Sequence, residues 1–325
     1  MAKRIQFSAY GGPEVLEYAD YAPAEPGPQE VRVRNRAIGL NFIDTYYRSG
    51  LYPAPHFPTS LGTEGAGEVD AVGSEVTQFK VGDRVAYATG PLGAYSELHV
   101  LPADKLVRLP DSISFEQAAA VMLKGLTVQY LLRQTFPLQG GETILFHAAA
   151  GGVGQIACQW AKALGVKLIG TVSSEEKAEQ AKAKGAWATI DYSRENVVQR
   201  VLELTNGAKC PVVYDSVGKD TWETSLDCVA PRGLLVSFGN ASGPVAGVNL
   251  GILAQKGSLF VTRPTLFGYA STPERLQAMA DELFSLIADG RIKVEVSQRF
   301  ALADAAKAHA ALASRQTTGS TVLIP

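Results

Sequence analysis

The stretch Gly141 to Gly165, GETILFHAAAGGVGQIACQWAKALG, reads as a strand, a tight glycine turn and a helix in succession, and its reading decides the fold. Thr143 to His147 is an apolar run of strand length, after which Ile156, Trp160, Ala163 and Leu164 recur at helical spacing. Between them, Ala149-Ala150-Gly151-Gly152-Val153-Gly154 is an A-x-G-x-x-G variant of the dinucleotide fingerprint. Gly151 would let backbone N–H groups approach a pyrophosphate at the helix N-terminus, where unpaired donors and the helix dipole favour an anion. Gly154 would let helix and strand pack closely. Ala149 replaces the first glycine, which weakens the pattern, and an ordinary strand-to-helix turn is the competing reading. A second strand, Val166 to Val172, closes a β-α-β unit around the turn and favours the nucleotide.

That second strand ends in Thr171-Val172-Ser173-Ser174, with no Asp or Glu at the tip, where an acidic residue would bind a ribose 2′-OH. Two hydroxyls followed by Lys177 offer donors and a positive charge instead, which suits a 2′-phosphate and favours NADP(H). Glu175 and Glu176 oppose this reading unless they turn away in the first turn of a helix, a place that itself favours negative charge.

The chain has 325 residues, 46% of them hydrophobic, enough for two domains with substantial cores. A net charge of -2 with no block of like charge excludes the basic footprint of a nucleic-acid binder. Cys158, Cys210 and Cys228 lie far apart in no ligand-like spacing, so neither disulfides nor zinc is expected and a cytoplasmic location follows. No run approaches the roughly 18 apolar residues of a membrane span.

From Lys3 to about Leu109 short alternating runs such as Val31-Arg32-Val33-Arg34, separated by Pro and Gly clusters, predict a sheet-rich domain. Ser114-Phe-Glu-Gln117 is a capping box opening a helix through Met122, and a second helical pattern runs from Leu126 to Leu132. Strands then alternate with helices: Thr143 to His147, Lys167 to Val172, Ala188 to Ile190, Val212 to Tyr214, Leu234 to Phe238 and Leu259 to Thr262. This alternation predicts a parallel, doubly wound sheet. A long amphipathic helix, Pro273 to Asp289, and a tail strand, Thr321 to Ile324, follow. The tail is expected to return to the first domain, so the expected division is 1–125 with 266–325 around an inserted 126–265 domain.

Gly82-Asp83-Arg84-Val85, the Ala-Ala-Gly-Gly-Val-Gly turn and this domain order resemble the medium-chain dehydrogenase/reductase superfamily over the whole chain. Asn41-Phe-Ile-Asp-Thr-Tyr46, Leu61-Gly-Thr-Glu64, Lys124-Gly-Leu-Thr127, Tyr214-Asp-Ser-Val-Gly218 and Phe238-Gly-Asn240 are similar to its zinc-free quinone oxidoreductase branch, related to zeta-crystallin. The resemblance implies an α/β protein: a GroES-like β-rich catalytic domain with an inserted Rossmann domain, binding NADPH and forming a homodimer through the Rossmann sheets. Zinc-dependent members place a histidine where this chain has Thr63 and a cysteine near Asn41 or Ile43, and Val85 to Leu109 contains no cysteine, so no metal is expected. His56, His99, His147 and His309 read as structural.

A quinone is electrophilic and becomes aromatic on reduction, so it can dispense with the Lewis acid that alcohol and aldehyde interconversion uses. The protein must then hold the nicotinamide against the acceptor in a dry cleft and donate hydrogen bonds to a developing oxyanion. By resemblance, Ser173, Ser174, Lys177 and Tyr192 take the 2′-phosphate end of the cofactor, and Gly151, Gly152 and Val153 the pyrophosphate. Lys124, Thr127, Phe238, Gly239 and Asn240 lie near the nicotinamide, while Ser216, Ser242, Pro264, Leu266, Arg315 and Gly319 are further carried-over contacts. Asn41, Tyr46 and Tyr52 are the candidates for the acceptor, an amide and two phenols that could orient a planar carbonyl ring; packing tyrosines and a capping role for Asn41 and Asp44 are the alternative. The expected activity is NADPH-dependent quinone reduction. An enone or alkenal double-bond reductase, which needs the same cofactor geometry, and a crystallin-like protein that binds NADPH without turnover are the alternatives.

Overall fold

The computed structural model describes residues 1–314 and 317–325. The chain divides into two compact units, Met1–Leu126 with Tyr269–Pro325, and Thr127–Gly268.

The first unit carries strands β1 (Ala2–Phe7), β2 (Glu17–Tyr21), β3 (Glu30–Leu40), β4 (Thr59–Ser60), β5 (Gly65–Val72), β6 (Arg84–Tyr87), β7 (Leu98–Pro102) and β8 (Leu106–Arg108). Helix α1 (Phe42–Ser49) follows β3, and α2 (Phe115–Tyr130) begins after β8. The long strand β3 is its spine: it pairs antiparallel with β5, with β7 and with the chain's last strand. Alternating burial along β3 puts Val31, Val33 and Ile38 into a core with Ile5, Phe7, Tyr87 and Tyr95. Its outward arginines are neutralised across the strand, Arg32 and Arg34 by Asp70 and Arg36 by Glu68, so no basic face arises.

The capping box at α2 forms as predicted: Gln117 N–H donates to Ser114 Oγ, and Ser114 N–H to the Gln117 amide oxygen. The expected second helix from Leu126 does not form separately. One helix runs through Gly125 to Tyr130 and widens into a π turn over Leu131–Thr135. Gly125 has a packing reason, because a Cβ there would stand 2.6 Å from Leu283. The two helical patterns are one helix, and the glycine between them marks a close approach to Leu283.

The second unit is the predicted α/β sheet. Strands β9 (Thr143–Phe146), β10 (Lys167–Val172), β11 (Ala188–Asp191), β12 (Cys210–Asp215), β13 (Val229–Ser237) and β14 (Phe260–Thr262) are all parallel, in the spatial order β11-β10-β9-β12-β13-β14. Helices α3 (Gly152–Ala163), α4 (Glu175–Ala183), α5 (Val197–Leu204), α6 (Trp222–Cys228), α7 (Gly251–Gln255) and α8 (Leu266–Tyr269, whose last residue begins the return to the first unit) connect or follow them. The chain winds outward from β9 to β11, then starts again on the other side of β9 with β12. The carboxyl ends of β9 and β12 therefore flank the topological switch point, where open α/β sheets bind ligands. Burial at Cys158, Cys210 and Cys228 pushes each thiol up to about 12, as small core residues rather than reactive groups.

After the second unit come α9 (Pro273–Ala288), β15 (Val296–Ala301), α10 (Ala305–Ala313) and β16 (Ser320–Ile324). Thr272 caps α9, with Pro273 in its first turn, and its apolar stripe Leu276, Met279, Ala280 and Leu283 is buried. The tail strand β16 does return to the first unit, pairing antiparallel with β3 and parallel with β15. Among the described residues no helix is long and apolar enough to cross a membrane.

Candidate active site

In the second unit the candidate cofactor residues collect at the carboxyl ends of the parallel strands. The turn after β9 holds Ala148 in a left-handed conformation (φ 56°), and Gly151 caps α3 in an extended one. A Cβ on Gly154 would lie 2.4 Å from the carbonyl oxygen of Ala148 and 2.6 Å from Cα of Ala149. Only a glycine lets the helix sit so close to the turn. The missing first glycine is compensated from the next strand: Gly170 in β10 leaves room for the buried Ala149 methyl, which a Cβ at 170 would meet at 2.4 Å. Thr171 closes the turn, its carbonyl accepting from Ala149 N–H and its hydroxyl from Ala148 N–H.

One strand over, Ser173 and Ser174 follow the end of β10. Lys177 Nζ donates to Ser173 Oγ at 3.1 Å, and Ser174 Oγ caps α4 by accepting from Lys177 N–H. Glu175 and Glu176 occupy the first helical turn and are exposed. Tyr192 follows β11, 52% exposed, and its N–H donates to Val172 at the same sheet edge. The Lys177 ammonium and the Ser173 hydroxyl thus meet beyond the end of β10, with Ser174 and Tyr192 on the adjoining chain ends, residue types that fit a phosphate.

On the other side of the switch point Ser216 follows β12 and Phe238-Gly239-Asn240 follow β13. A Cβ at Gly239 would meet Ser216's carbonyl oxygen at 2.3 Å, so the two loops touch there. With its amide oxygen turned toward Arg263, Asn240 accepts from that guanidinium at 3.2 Å and donates to Gly239's carbonyl at 3.0 Å; Arg263 also donates to Ser237. Ser242 spends its hydroxyl on Val217's carbonyl and accepts from Asp220 N–H, ordering the Ser216 loop. Thr127 is half-buried on α2, whereas Pro264 and Leu266 are buried. Arg315 lies outside the described residues, and Gly319 is a left-handed turn (φ 65°) before β16.

Beneath these loops Asp215 accepts from Val217 N–H, Gly218 N–H, Thr221 Oγ1 and Ser225 Oγ. Ser225 in turn contacts His147 Nε2, whose Nδ1 contacts Thr171. Because Ser225 gives its one hydrogen to Asp215, no base takes that proton, and the Asp-Ser-His chain is a brace rather than a nucleophile. Burial pushes the His147 imidazole down, which keeps it neutral in that brace.

In the first unit Asn41, Glu64 and Lys124 converge. Asn41 Nδ2 donates to Glu64 Oε2 at 2.6 Å, Lys124 Nζ lies 3.7 Å from the same oxygen, and Leu123 N–H donates to Oε1 at 2.6 Å. Glu64 is wholly buried, which pushes its carboxyl up against the opposing effect of Lys124, Asn41 and Leu123. Lys124 also reaches Leu40's carbonyl at 3.4 Å. Both contacts are long, so the ammonium keeps donor capacity, and one amide hydrogen of Asn41 lies outside its bond to Glu64. Tyr46 and Tyr52 pack edge to face at 5.4 Å, with Tyr47 against Tyr52 at 5.6 Å. Asn41 is the N-cap of α1, and its N–H donates at 2.8 Å to Oδ2 of Asp44, its capping-box partner three residues on, while its side-chain amide donates to Glu64. Among the described residues no three His, Cys, Asp or Glu side chains gather as a metal site would need.

Glu64, Arg263 and Gly170 were not identified from the sequence, where no spacing links them to their partners, although Glu64 stands within the string Leu61-Gly-Thr-Glu64. Asp44 was read there as a capping residue beside Asn41, and it does hold the Asn41 N–H.

Comparison with known proteins agrees with this architecture. The family model described as alcohol dehydrogenase GroES-like domain matches residues 27–111, and that described as zinc-binding dehydrogenase matches residues 152–285. The chain is 82% identical to a quinone oxidoreductase of Pseudomonas aeruginosa over the full length of both. Crystal structures of the quinone oxidoreductase of Pseudomonas syringae share 74% of its sequence with a TM-score of 0.99, each chain fully covered. The Escherichia coli quinone oxidoreductase complexed with NADPH is 61% identical with the same TM-score and coverage. From its two units, its glycine cradle and these full-length likenesses, the chain belongs to the quinone oxidoreductase family of the medium-chain dehydrogenase/reductase superfamily.

Proposed function

We propose that this chain reduces quinones with NADPH and without zinc, and that its first unit is the catalytic part and its second the cofactor-binding part. The observation that carries the reading is the cradle at the switch point, where Gly151 and Gly154 admit backbone donors to a pyrophosphate and Lys177 stands one strand away with Ser173. When bound, NADPH supplies hydride from its nicotinamide. Gly151, Gly152 and Val153 would hold the pyrophosphate by their N–H groups, and Ser173, Ser174, Lys177 and Tyr192 the 2′-phosphate. Ser216, Phe238, Gly239 and Asn240, held by Asp215 and Arg263, would set the nicotinamide end. Asn41 and Lys124 would donate to the acceptor oxygen as negative charge develops there, with Tyr46 and Tyr52 orienting the ring. Thr63 and Asn41 are poor zinc ligands, and aromatisation of the product lessens the need for a Lewis acid.

The decisive assay follows NADPH oxidation in the presence of a chelator with benzoquinone, with an alkenal and with neither. Consumption that depends on benzoquinone is expected; consumption with the alkenal alone makes the chain a double-bond reductase, and binding without consumption makes it a crystallin-like binder. The names of the relatives favour the first. Lys177→Ala should cost about 1.5–3 kcal/mol of NADPH binding, or roughly 10- to 150-fold, with NADH almost unaffected. Paired titrations of the two nucleotides check this, and equal losses for both would remove Lys177 from the 2′-phosphate.

The same reading extends to assembly. β14 is the edge of the parallel sheet, with Phe260 63% exposed and Val261 beside it, next to an apolar recess lined by Phe136, Pro211, Pro231 and Leu234. An exposed apolar edge strand favours pairing with another copy, and we take the chain as a cytoplasmic homodimer. Sedimentation at a dimer's mass, reduced to a monomer's by Val261→Asp, is the expected result.

A further inference from the structure

The first unit buries a carboxyl that the function above leaves unused. Asp44 lies in α1 and is wholly buried. Its Oδ2 accepts from Asn41 N–H at 2.8 Å and from the Tyr95 phenol at 3.0 Å, while its Oδ1 is buried with no hydrogen-bond partner.

Behind Tyr95 a chain of hydrogen bonds runs to α10 and back to α1. Arg48 Nη1 lies 3.0 Å from His309 Nδ1, and His309 Nε2 lies 3.0 Å from the Tyr95 oxygen. A guanidinium can only donate, so His309 accepts at Nδ1 and carries its hydrogen on Nε2. It is therefore neutral, in keeping with a pKa that burial and Arg48 push down to about 3. Nε2–H donates to Tyr95, and Tyr95 donates to Asp44. Each hydrogen of the chain points toward the carboxyl, yet the one cation in the chain, Arg48, is two neutral groups away.

The titratable and charged groups that face Asp44 are Tyr47 on its own helix, Tyr95, Glu64, and Lys124 on α2, with His309 on α10 and then Arg48 standing behind Tyr95. Asp44 and Glu64 are tied to opposite ends of one residue, Asp44 to the N–H of Asn41 and Glu64 to its side-chain amide. Lys124 sits on Glu64. A buried carboxylate with one oxygen bare costs far more than a buried neutral carboxyl. We propose that Asp44 is a positioning residue for acceptor reduction that works in its protonated form, holding Asn41 in register with Glu64 and Lys124. Loss of the proton places a second negative charge beside Glu64 in competition for Lys124, and Asn41 lies between the two. Burial, reinforced by Glu64 and opposed by the Asn41 N–H, Tyr95 and Lys124, pushes the Asp44 carboxyl up to about 7, so the change of form falls in the neutral range.

This inference rests on the quinone-reductase reading, and its test separates the two. The rate of NADPH oxidation with benzoquinone is measured on both sides of neutral pH for the wild type, Asp44→Asn and Asp44→Ala. In the wild type kcat should fall above pH about 7 while KM for NADPH stays constant. Asp44→Asn, an uncharged isostere, should keep kcat within about threefold at the acid side and lose the fall, whereas Asp44→Ala should lose about tenfold or more at every pH. An Asn variant as inactive as the Ala variant, or one that keeps the wild-type profile, overturns the proposal. Infrared difference spectra of wild type against Asp44→Asn, taken without quinone, should show a protonated carboxyl band that vanishes near pH 7. A missing band overturns the proposal even in an active enzyme, and a wild type that leaves benzoquinone untouched fails the functional reading instead.

Discussion

Gly154→Val should weaken NADPH binding by about 100-fold or more, the scale on which small misplacements act at a site of this kind. The added Cβ would stand 2.4 Å from Ala148's carbonyl oxygen and 2.6 Å from both Cα and the carbonyl oxygen of Ala149. All three atoms are backbone, and the turn is already held on its other side by Thr171 and by the fit of Ala149 against Gly170, so it cannot yield without moving the N–H groups of Gly151 to Val153. Gly151→Ala offers the contrast. Its Cβ would meet a single backbone atom, Ala148's oxygen at 3.2 Å, on an extended backbone, so the fold should be kept while the methyl at the turn still weakens NADPH binding, by less than Gly154→Val does. Fluorescence titration with NADPH, alongside thermal melts of the free protein, checks both. A Gly154→Val protein that is folded and binds as the wild type would show that no pyrophosphate lies at this turn.

Glu64→Ala should cost about 3–5 kcal/mol of stability, since it leaves Lys124 as an uncompensated buried charge and strips Asn41's amide and Leu123's N–H of their acceptor. The site is built for this one carboxylate. A Cβ on Gly39 would stand 2.0 Å from Glu64 Oε2, so β3 carries a glycine where the carboxylate lies against it. Glu64→Gln keeps the shape and one acceptor and should lose about half as much. Urea unfolding with linear extrapolation gives the two values. Losses under 1 kcal/mol for Glu64→Ala would mean that the lysine has moved to solvent and that the pair does not organise the unit.

The strand, turn and helix around Gly151 and Gly154 were legible because each is a local pattern. A run of apolar residues, a glycine pair and a period of 3.6 all lie within 25 consecutive positions, Gly141 to Gly165. The same locality made the capping box at Ser114 and the alternation of strands and helices readable. Where the reading went astray, at Leu126, the cause was a glycine whose reason lies on another helix, at Leu283. The tip of β10 was legible in kind but not in detail. Lys177 and Ser173 were expected together and are bonded, whereas the capping role of Ser174 depends on where α4 begins.

By itself the sequence determined the α/β class, the strand, glycine turn and helix around Gly151, the hydroxyl and lysine set at the tip of β10 and the absence of zinc-ligand residue types at Asn41 and Thr63, because these reside in residue identity and short spacing. Only the tertiary structure decided that Gly170 makes room for Ala149, that Arg263 steadies Asn240, and that Glu64 takes the side-chain amide of Asn41. It also decided that His309 reaches back across 261 positions to Arg48. These depend on which distant segments a fold brings side by side. A buried polar group is satisfied by whatever neighbour packing provides, and hydrophobic periodicity, which directs the packing, carries no record of that partner.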